Sequence, residues 1–145
     1  MLTHLNVING ARVLDLFAGT GALGLEALSR GAKDAVFVEN GRVAQKLIAQ
    51  NVDKVRAGEK TTLMRNDATK LGTCSATPFD LVFLDPPYGK GMGQQALAAA
   101  RTGGWVAQGA LIVWEENAPM NAPDGFTRTE KRKYGDTHVT LLTHD

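Results

Sequence analysis

A chain of 145 residues with 43% hydrophobic content is long enough for one substantial core and too short for two, so one domain over residues 1–145 is expected. Its 16 Lys and Arg stand against 15 Asp and Glu, a formal net charge of +1, which excludes global basicity and leaves any nucleic-acid contact to local patches. A single cysteine, Cys74, excludes an internal disulfide; His4, His138 and His144 carry no metal spacing, and no apolar run approaches a membrane span. The first residues also lack the pattern of a signal peptide, so a reduced, cytoplasmic setting without membrane or metal is the expectation.

Residues 12–17, Arg-Val-Leu-Asp-Leu-Phe, form a short apolar run ending at a glycine turn, and residues 22–29 then place Leu23, Ala27 and Leu28 at helical spacing. Gly31 ends that helix, and residues 35–38 form a second strand that stops at Glu39-Asn40. A second helix is expected over residues 42–55, with Val43, Leu47, Ile48 and Val55 on its inner side. Residues 61–65 give a third strand ending at Asn66-Asp67, and Pro78 introduces a fourth over residues 79–84. The alanine-rich residues 94–100 are helical by propensity, and residues 110–114 make a fifth strand. Alternation of strand and helix implies a mostly parallel sheet with helices on both faces, joined by right-handed crossovers. The tail breaks that rhythm: residues 126–134 and 138–142 flank Gly135-Asp136, a turn pair that predicts an antiparallel hairpin at one edge.

The turn after the first strand contains Gly19, Gly21 and Gly24 at G-x-G-x-x-G spacing, and Glu39 closes the second strand about twenty residues on. Gly19 and Gly21 let backbone approach a ligand, while a carboxylate at the end of the second strand can accept both hydroxyls of a ribose. A dinucleotide site shares this pattern, so the ligand is an adenosine-containing one of either kind. Two acids favour S-adenosylmethionine. Asp15 would repel a pyrophosphate yet can pair with the ammonium of a bound amino acid, and Asp67 can accept a hydrogen bond from the adenine amino group. Against these stand plainer readings: Gly24 eases helix packing, and Asp67 caps the short segment after it. The packing reading is preferred for Gly24, the ligand reading for Asp15, Glu39 and Asp67.

Asp85-Pro86-Pro87-Tyr88 follow the fourth strand and so stand at the carboxyl end of the sheet, where open α/β sheets bind ligands. A carboxylate, a proline carbonyl and an aromatic ring suit the grip of an exocyclic amino group on a planar base, and hence methyl transfer to nitrogen. Two successive prolines hold Asp85 and Pro86 extended. Alone, the motif reads equally well as a rigid strand-to-loop turn; the glycine turn tips the balance toward function. Lys90 is as readily a solvated lysine as a phosphate contact. The run Arg128, Lys131, Arg132 and Lys133 is equally an RNA-facing patch or a charged edge that discourages aggregation. Trp105 and Trp114 are expected in the core.

With residues 15–24, Glu39, Asp67 and Asp85-Pro86-Pro87-Tyr88 in view, the chain resembles class I S-adenosylmethionine-dependent amino-methyltransferases. Within them it is most similar to the RsmD-type guanine-N2 methyltransferases of bacterial small-subunit ribosomal RNA. The segment from Arg12 to Arg30 carries most of that likeness, extended by Trp105 and Lys133-Tyr134-Gly135-Asp136. The resemblance implies a Rossmann-like α/β fold with a mostly parallel seven-stranded sheet and a C-terminal antiparallel hairpin. It implies a cofactor site at Asp15, Phe17, Ala18, Gly19, Thr20, Gly21, Glu39, Asn40, Asp67 and Ala68, with catalysis at Asp85, Pro86, Pro87 and Tyr88. The expected partner is small-subunit ribosomal RNA or the assembled small subunit, and the expected state a monomer. The family begins with an additional hairpin, a basic segment and a helix, and Met1-Leu2-Thr3-His4-Leu5-Asn6 resembles only the end of that helix, so reduced cofactor closure and RNA contact are expected. The alternatives are an adenine-N6 DNA methyltransferase, which would usually carry a separate recognition region, a nicotinamide oxidoreductase, and a non-catalytic cofactor-binding module.

Overall fold

A computed structural model describes residues 7–145; residues 1–6, with His4 and the expected helix end, lie outside the described residues. Seven strands form one sheet in the order β3-β2-β1-β4-β5-β7-β6. The first five, β1 (Arg12–Leu16), β2 (Asp34–Val38), β3 (Thr61–Met64), β4 (Phe79–Leu84) and β5 (Val106–Glu116), are parallel. The last two, β6 (Phe126–Tyr134) and β7 (Thr137–His144), pair antiparallel around Gly135-Asp136, with β6 at the edge, as the turn pair predicts. The helices are α1 (Ala22–Ser29), α2 (Arg42–Lys54) and α3 (Met92–Thr102). None is long and apolar enough to cross a membrane among the described residues.

The central strands are apolar on both sides because both faces of the sheet are covered. On one face Val13, Phe37, Leu81 and Phe83 pack with Ala27 of α1 and Ile48 of α2. On the other, Leu14, Leu16, Val82 and Leu84 pack with Ala96, Leu97 and Ala100 of α3, and Trp105 and Trp114 join this core. The amino end of the sheet is closed by side chains: Arg12 pairs with Asp34 at 3.2 Å and lies 4.4 Å over the Phe79 ring, which stacks on Trp105. The carboxyl end carries the loops that form the site.

The end of α1 follows from Gly31. With φ at +102°, it lets its own N–H reach the Leu28 carbonyl (3.1 Å) and that of Ala32 reach Ala27 (3.0 Å), the paired bonds of a Schellman stop. In α2 the expected inner face is corrected. Ile48 is buried, but Val43 (75% exposed), Leu47 (39%) and Val55 (60%) face outward. The helix is rotated because polar side chains tie its inner face to loops: Gln45 Nε2 donates to the Glu39 carbonyl (2.8 Å) and Asn51 Nδ2 to the Thr20 carbonyl (3.0 Å). Fixing those bonds, together with Ile48, turns Val43 and Leu47 away from the sheet.

Candidate active site

The strand order reverses between β1 and β4, and this is where the two sequence motifs meet. Leu16 pairs with Leu84, and the Asp85 N–H points to the Leu16 carbonyl at 3.5 Å. The glycine turn leaving β1 and the Asp85-Pro86-Pro87-Tyr88 segment leaving β4 therefore start side by side, about one strand spacing (~4.8 Å) apart. Open α/β sheets take ligands at such a reversal.

Phe17 begins the turn. It departs from the expected strand because its φ is +58°, a left-handed conformation that costs a non-glycine residue about 1–3 kcal/mol. The departure lets the Ala18 N–H bond to the Val38 carbonyl at the end of β2 (3.2 Å). Gly19 and Gly21, at φ +61° and +79°, complete the turn, and the Gly21 N–H closes it on the Ala18 carbonyl (2.8 Å). Thr20 is exposed at its outer side. Glu39 then braces it: Oε1 accepts the Gly19 N–H and Oε2 the Gly41 N–H, both at 2.9 Å. These bonds aim the carboxylate, whose oxygens keep further lone pairs open.

Asp15 lies under the turn and is only 2% exposed, its Oδ2 accepting the Gly24 N–H at 3.2 Å. Burial pushes its carboxyl well above the usual range; the Gly24 bond opposes this, and the charges of Asp85, Glu39 and Glu115 add to it. Asp15 does not line the cavity. Gly24 is needed for this closeness, since a Cβ there would stand 2.5 Å from Phe37 Cε1 and 3.2 Å from Asp15 Oδ2.

One cavity of about 460 Å³ is lined by Phe17, Glu39, Asn40, Asp85, Pro86, Pro87, Tyr88 and Met92. The structure thus brings Phe17, Glu39 and Asn40 onto one wall with all of Asp85-Pro86-Pro87-Tyr88, and no Lys or Arg lines it. Burial raises the Asp85 carboxyl, helped by the charge of Glu116. Pro86 is buried, whereas Tyr88 is 46% exposed. Asp67 and Ala68 are not part of this wall. Asp67 Oδ1 accepts from both the Thr69 N–H (2.8 Å) and its hydroxyl (2.7 Å), capping the single helical turn Ala68–Lys70, and these bonds hold its carboxyl below the usual range.

Sequence reasoning missed Glu115 and Glu116. Glu116 is 5% exposed; its Oε1 accepts the Gly89 N–H (3.1 Å) and its Oε2 the Trp114 indole N–H (3.2 Å), so it anchors the loop directly after Tyr88. Glu115 is raised by burial and by the Asp85 charge. A short apolar run gave no sign that the strand continues through them; pairing of Glu115 with Val139 and Glu116 with His138 on β7 extends it. The result is a rim of acids from adjoining strand ends, in which N–H donors rather than cations hold Asp15, Glu39 and Glu116. Among the described residues no group of His, Cys, Asp and Glu is placed to hold a metal ion.

Residues 1–143 match the family described as Conserved hypothetical protein 95. The chain is 37% identical over 142 residues to Ribosomal RNA small subunit methyltransferase D of Escherichia coli strain K12, covering 96% of this chain and 71% of that one. It is 31% identical over 133 residues to the protein of the same name from Haemophilus influenzae, covering 88% and 69%. The solved structure of yhhF from Escherichia coli superposes with a TM-score of 0.83 at 31% identity, over 96% of this chain and 78% of that one. On strand order, site architecture and these likenesses, the chain belongs to the RsmD family of class I methyltransferases.

Proposed function

We propose that the protein transfers a methyl group from S-adenosylmethionine to the exocyclic N2 amino group of a guanine in small-subunit ribosomal RNA. The observation that carries this reading is the shared cavity, in which the Glu39-Asn40 strand end faces Asp85-Pro86-Pro87-Tyr88 across an acidic surface without cations. Such a surface attracts a sulfonium and an ammonium, and repels the pyrophosphate that a nicotinamide dinucleotide would bring. The names borne by the relatives, small-subunit ribosomal RNA methyltransferases, support the choice of acceptor.

When bound, S-adenosylmethionine supplies a methyl group on a positively charged sulfur. The residues of the rim fit such a donor: Glu39 takes the ribose hydroxyls, Phe17 to Gly21 bring backbone close, and Asp67, beyond the cavity wall and capping Thr69 through Oδ1, keeps Oδ2 for the adenine amino group. Asp15 holds the turn from beneath through its bond to the Gly24 N–H. On the acceptor side, the Asp85 carboxylate and the Pro86 carbonyl accept the two amino hydrogens. That grip aims the nitrogen lone pair and favours its pyramidal form, which an aromatic amine otherwise resists. The same acceptors stabilise the positive charge that develops on nitrogen, and the alkylated ammonium, strongly acidic, then releases its proton to water. Tyr88 stacks on the base. A paired guanine must first leave its helix, at a cost of roughly a few kcal/mol.

The test has two steps. Calorimetric titration should find binding of S-adenosylhomocysteine and none of NADH; the reverse would sink the reading in favour of an oxidoreductase. Methylation of small subunits from cells lacking the endogenous enzyme, followed by mapping, should then locate one N2-methylguanine. Modification of an adenine instead would keep the chemistry and reject the acceptor.

A further inference from the structure

Arg42 and Lys46 stand one turn apart at the start of α2, and Arg65 follows the last residue of β3. With Val43, Gln45 and Ala49 they line a groove of about 430 Å³ at the sheet edge that contains no acidic side chain. All the cations of the groove are exposed, and among the described residues none takes part in an ion pair. The basic run on β6 differs in this respect: Arg132 pairs with Glu130 at 2.7 Å, and Arg128 donates to the Met120 carbonyl at 3.1 Å. On β6 one cation of the four, Arg132, is neutralised by an acid, and the run lies on the edge strand, where charge guards against pairing. The cations of the groove line one surface and have no ion-pair partner among the described residues.

The position of the groove is informative. Arg42 follows Glu39 within one turn, and Gln45 ties the groove wall to the Glu39 carbonyl at 2.8 Å. Arg65 lies at the carboxyl end of β3, so the groove opens on the same rim as the cavity. In the order β3-β2-β1-β4, Asp85 lies three strand steps away, or roughly 14 Å at the usual strand spacing. A single-stranded segment with its target base at Asp85-Pro86-Pro87-Tyr88 has phosphates within reach of that distance. Planar guanidinium groups suit phosphate oxygens, and Val43, 75% exposed, offers an apolar facet to sugar or base.

We propose that the Arg42, Lys46 and Arg65 groove holds the phosphate backbone flanking the methylated base of the RNA acceptor. This rests on the RNA reading above. The test compares the parent chain with an Arg42→Gln, Lys46→Gln, Arg65→Gln variant in binding to naked small-subunit ribosomal RNA across a potassium chloride series. Three lost contacts at ~0.7 each should flatten the slope of log affinity against log salt by about 2. KM for RNA should rise with kcat held, and calorimetric affinity for S-adenosylhomocysteine should stay at the parental value, which also verifies folding. A variant that transfers methyl groups with the parental salt slope overturns the groove and leaves the function standing. A parent that binds S-adenosylhomocysteine but neither naked RNA nor assembled small subunits overturns both the groove and the RNA acceptor. Loss seen only with assembled subunits, with naked RNA unaffected, assigns the groove to an acidic protein face and also overturns the proposal.

Discussion

On the proposed mechanism, Asp85 meets two requirements that pull in opposite directions. It must be near enough to Glu116 and the cavity wall for its carboxyl to be raised, and open enough to reach an acceptor nitrogen. The following prolines resolve this by fixing its backbone, while Glu116 fixes the loop beyond through the Gly89 N–H. Removal of the carboxylate should therefore cost chemistry more than cofactor binding. Asp85→Ala is expected to lower kcat by about 10²–10³, the usual loss for one aimed polar group at a reacting centre. Affinity for S-adenosylhomocysteine should change little. Single-turnover transfer alongside calorimetry checks both; near-parental transfer by this variant would remove Asp85 from the mechanism.

At the scale of elements, the decisive contact is that of α1 with β1 and β2. Gly24 lets the helix sit against the fully buried Phe37 ring while its N–H reaches Asp15. Phe37 cannot swing aside in a close-packed interior. Gly24→Ala should then push α1 outward and destabilise the fold by about 1–3 kcal/mol, the common range for overpacking. Urea unfolding measures the loss, and weaker S-adenosylhomocysteine binding should accompany it because the turn moves with the helix. Unchanged stability would show that the helix accommodates a methyl group there. The plain reading of the third glycine as a packing residue is the one this contact describes. Asp67 is a cap in the same sense, and its role toward adenine would be added to that cap rather than replace it.

At the scale of the whole molecule, the acids gathered at the carboxyl rim set a pH dependence of stability. Asp15 is raised in the folded chain by burial, against an unfolded value of about 3.9. Between those two values the folded state binds more protons than the unfolded state, so stability falls as pH rises through that interval. Asp67 is lowered by its Thr69 bonds, and its contribution runs the other way: present above about 3.9 and lost on acidification. Asp15→Asn isolates the first effect, because the amide oxygen still accepts the Gly24 N–H while the charge is gone. The variant is expected to be more stable than the parent at neutral pH, with the difference closing as pH approaches 4. Urea midpoints over a pH series test this, and a constant gap between the two proteins would contradict it. Binding of a cationic ligand at the rim should relieve the same repulsion in the parent.

Strand and helix order, the hairpin at Gly135-Asp136 and the two motifs were legible along the chain because each depends on local chemistry: apolar runs, positive-φ glycines and prolines act within a few residues. The rotation of α2 was not legible. Its inner face is chosen by bonds from Gln45 and Asn51 to distant carbonyls, and hydrophobic spacing alone puts Val43 and Leu47 inward. Nor were Glu115 and Glu116, which are strand residues only because β7 pairs with them. The sequence by itself therefore determined the family, the parallel order of elements and the two motifs whose Phe17, Glu39, Asn40 and Asp85-Pro86-Pro87-Tyr88 line the cavity. Tertiary structure alone decided that Leu16 and Leu84 are neighbours, that Asp15 is closed under the turn, and that the carboxylates of β1, β2, β4 and β5 share one rim. Those outcomes depend on hydrogen-bond register and burial between segments far apart in the chain, which no local pattern encodes.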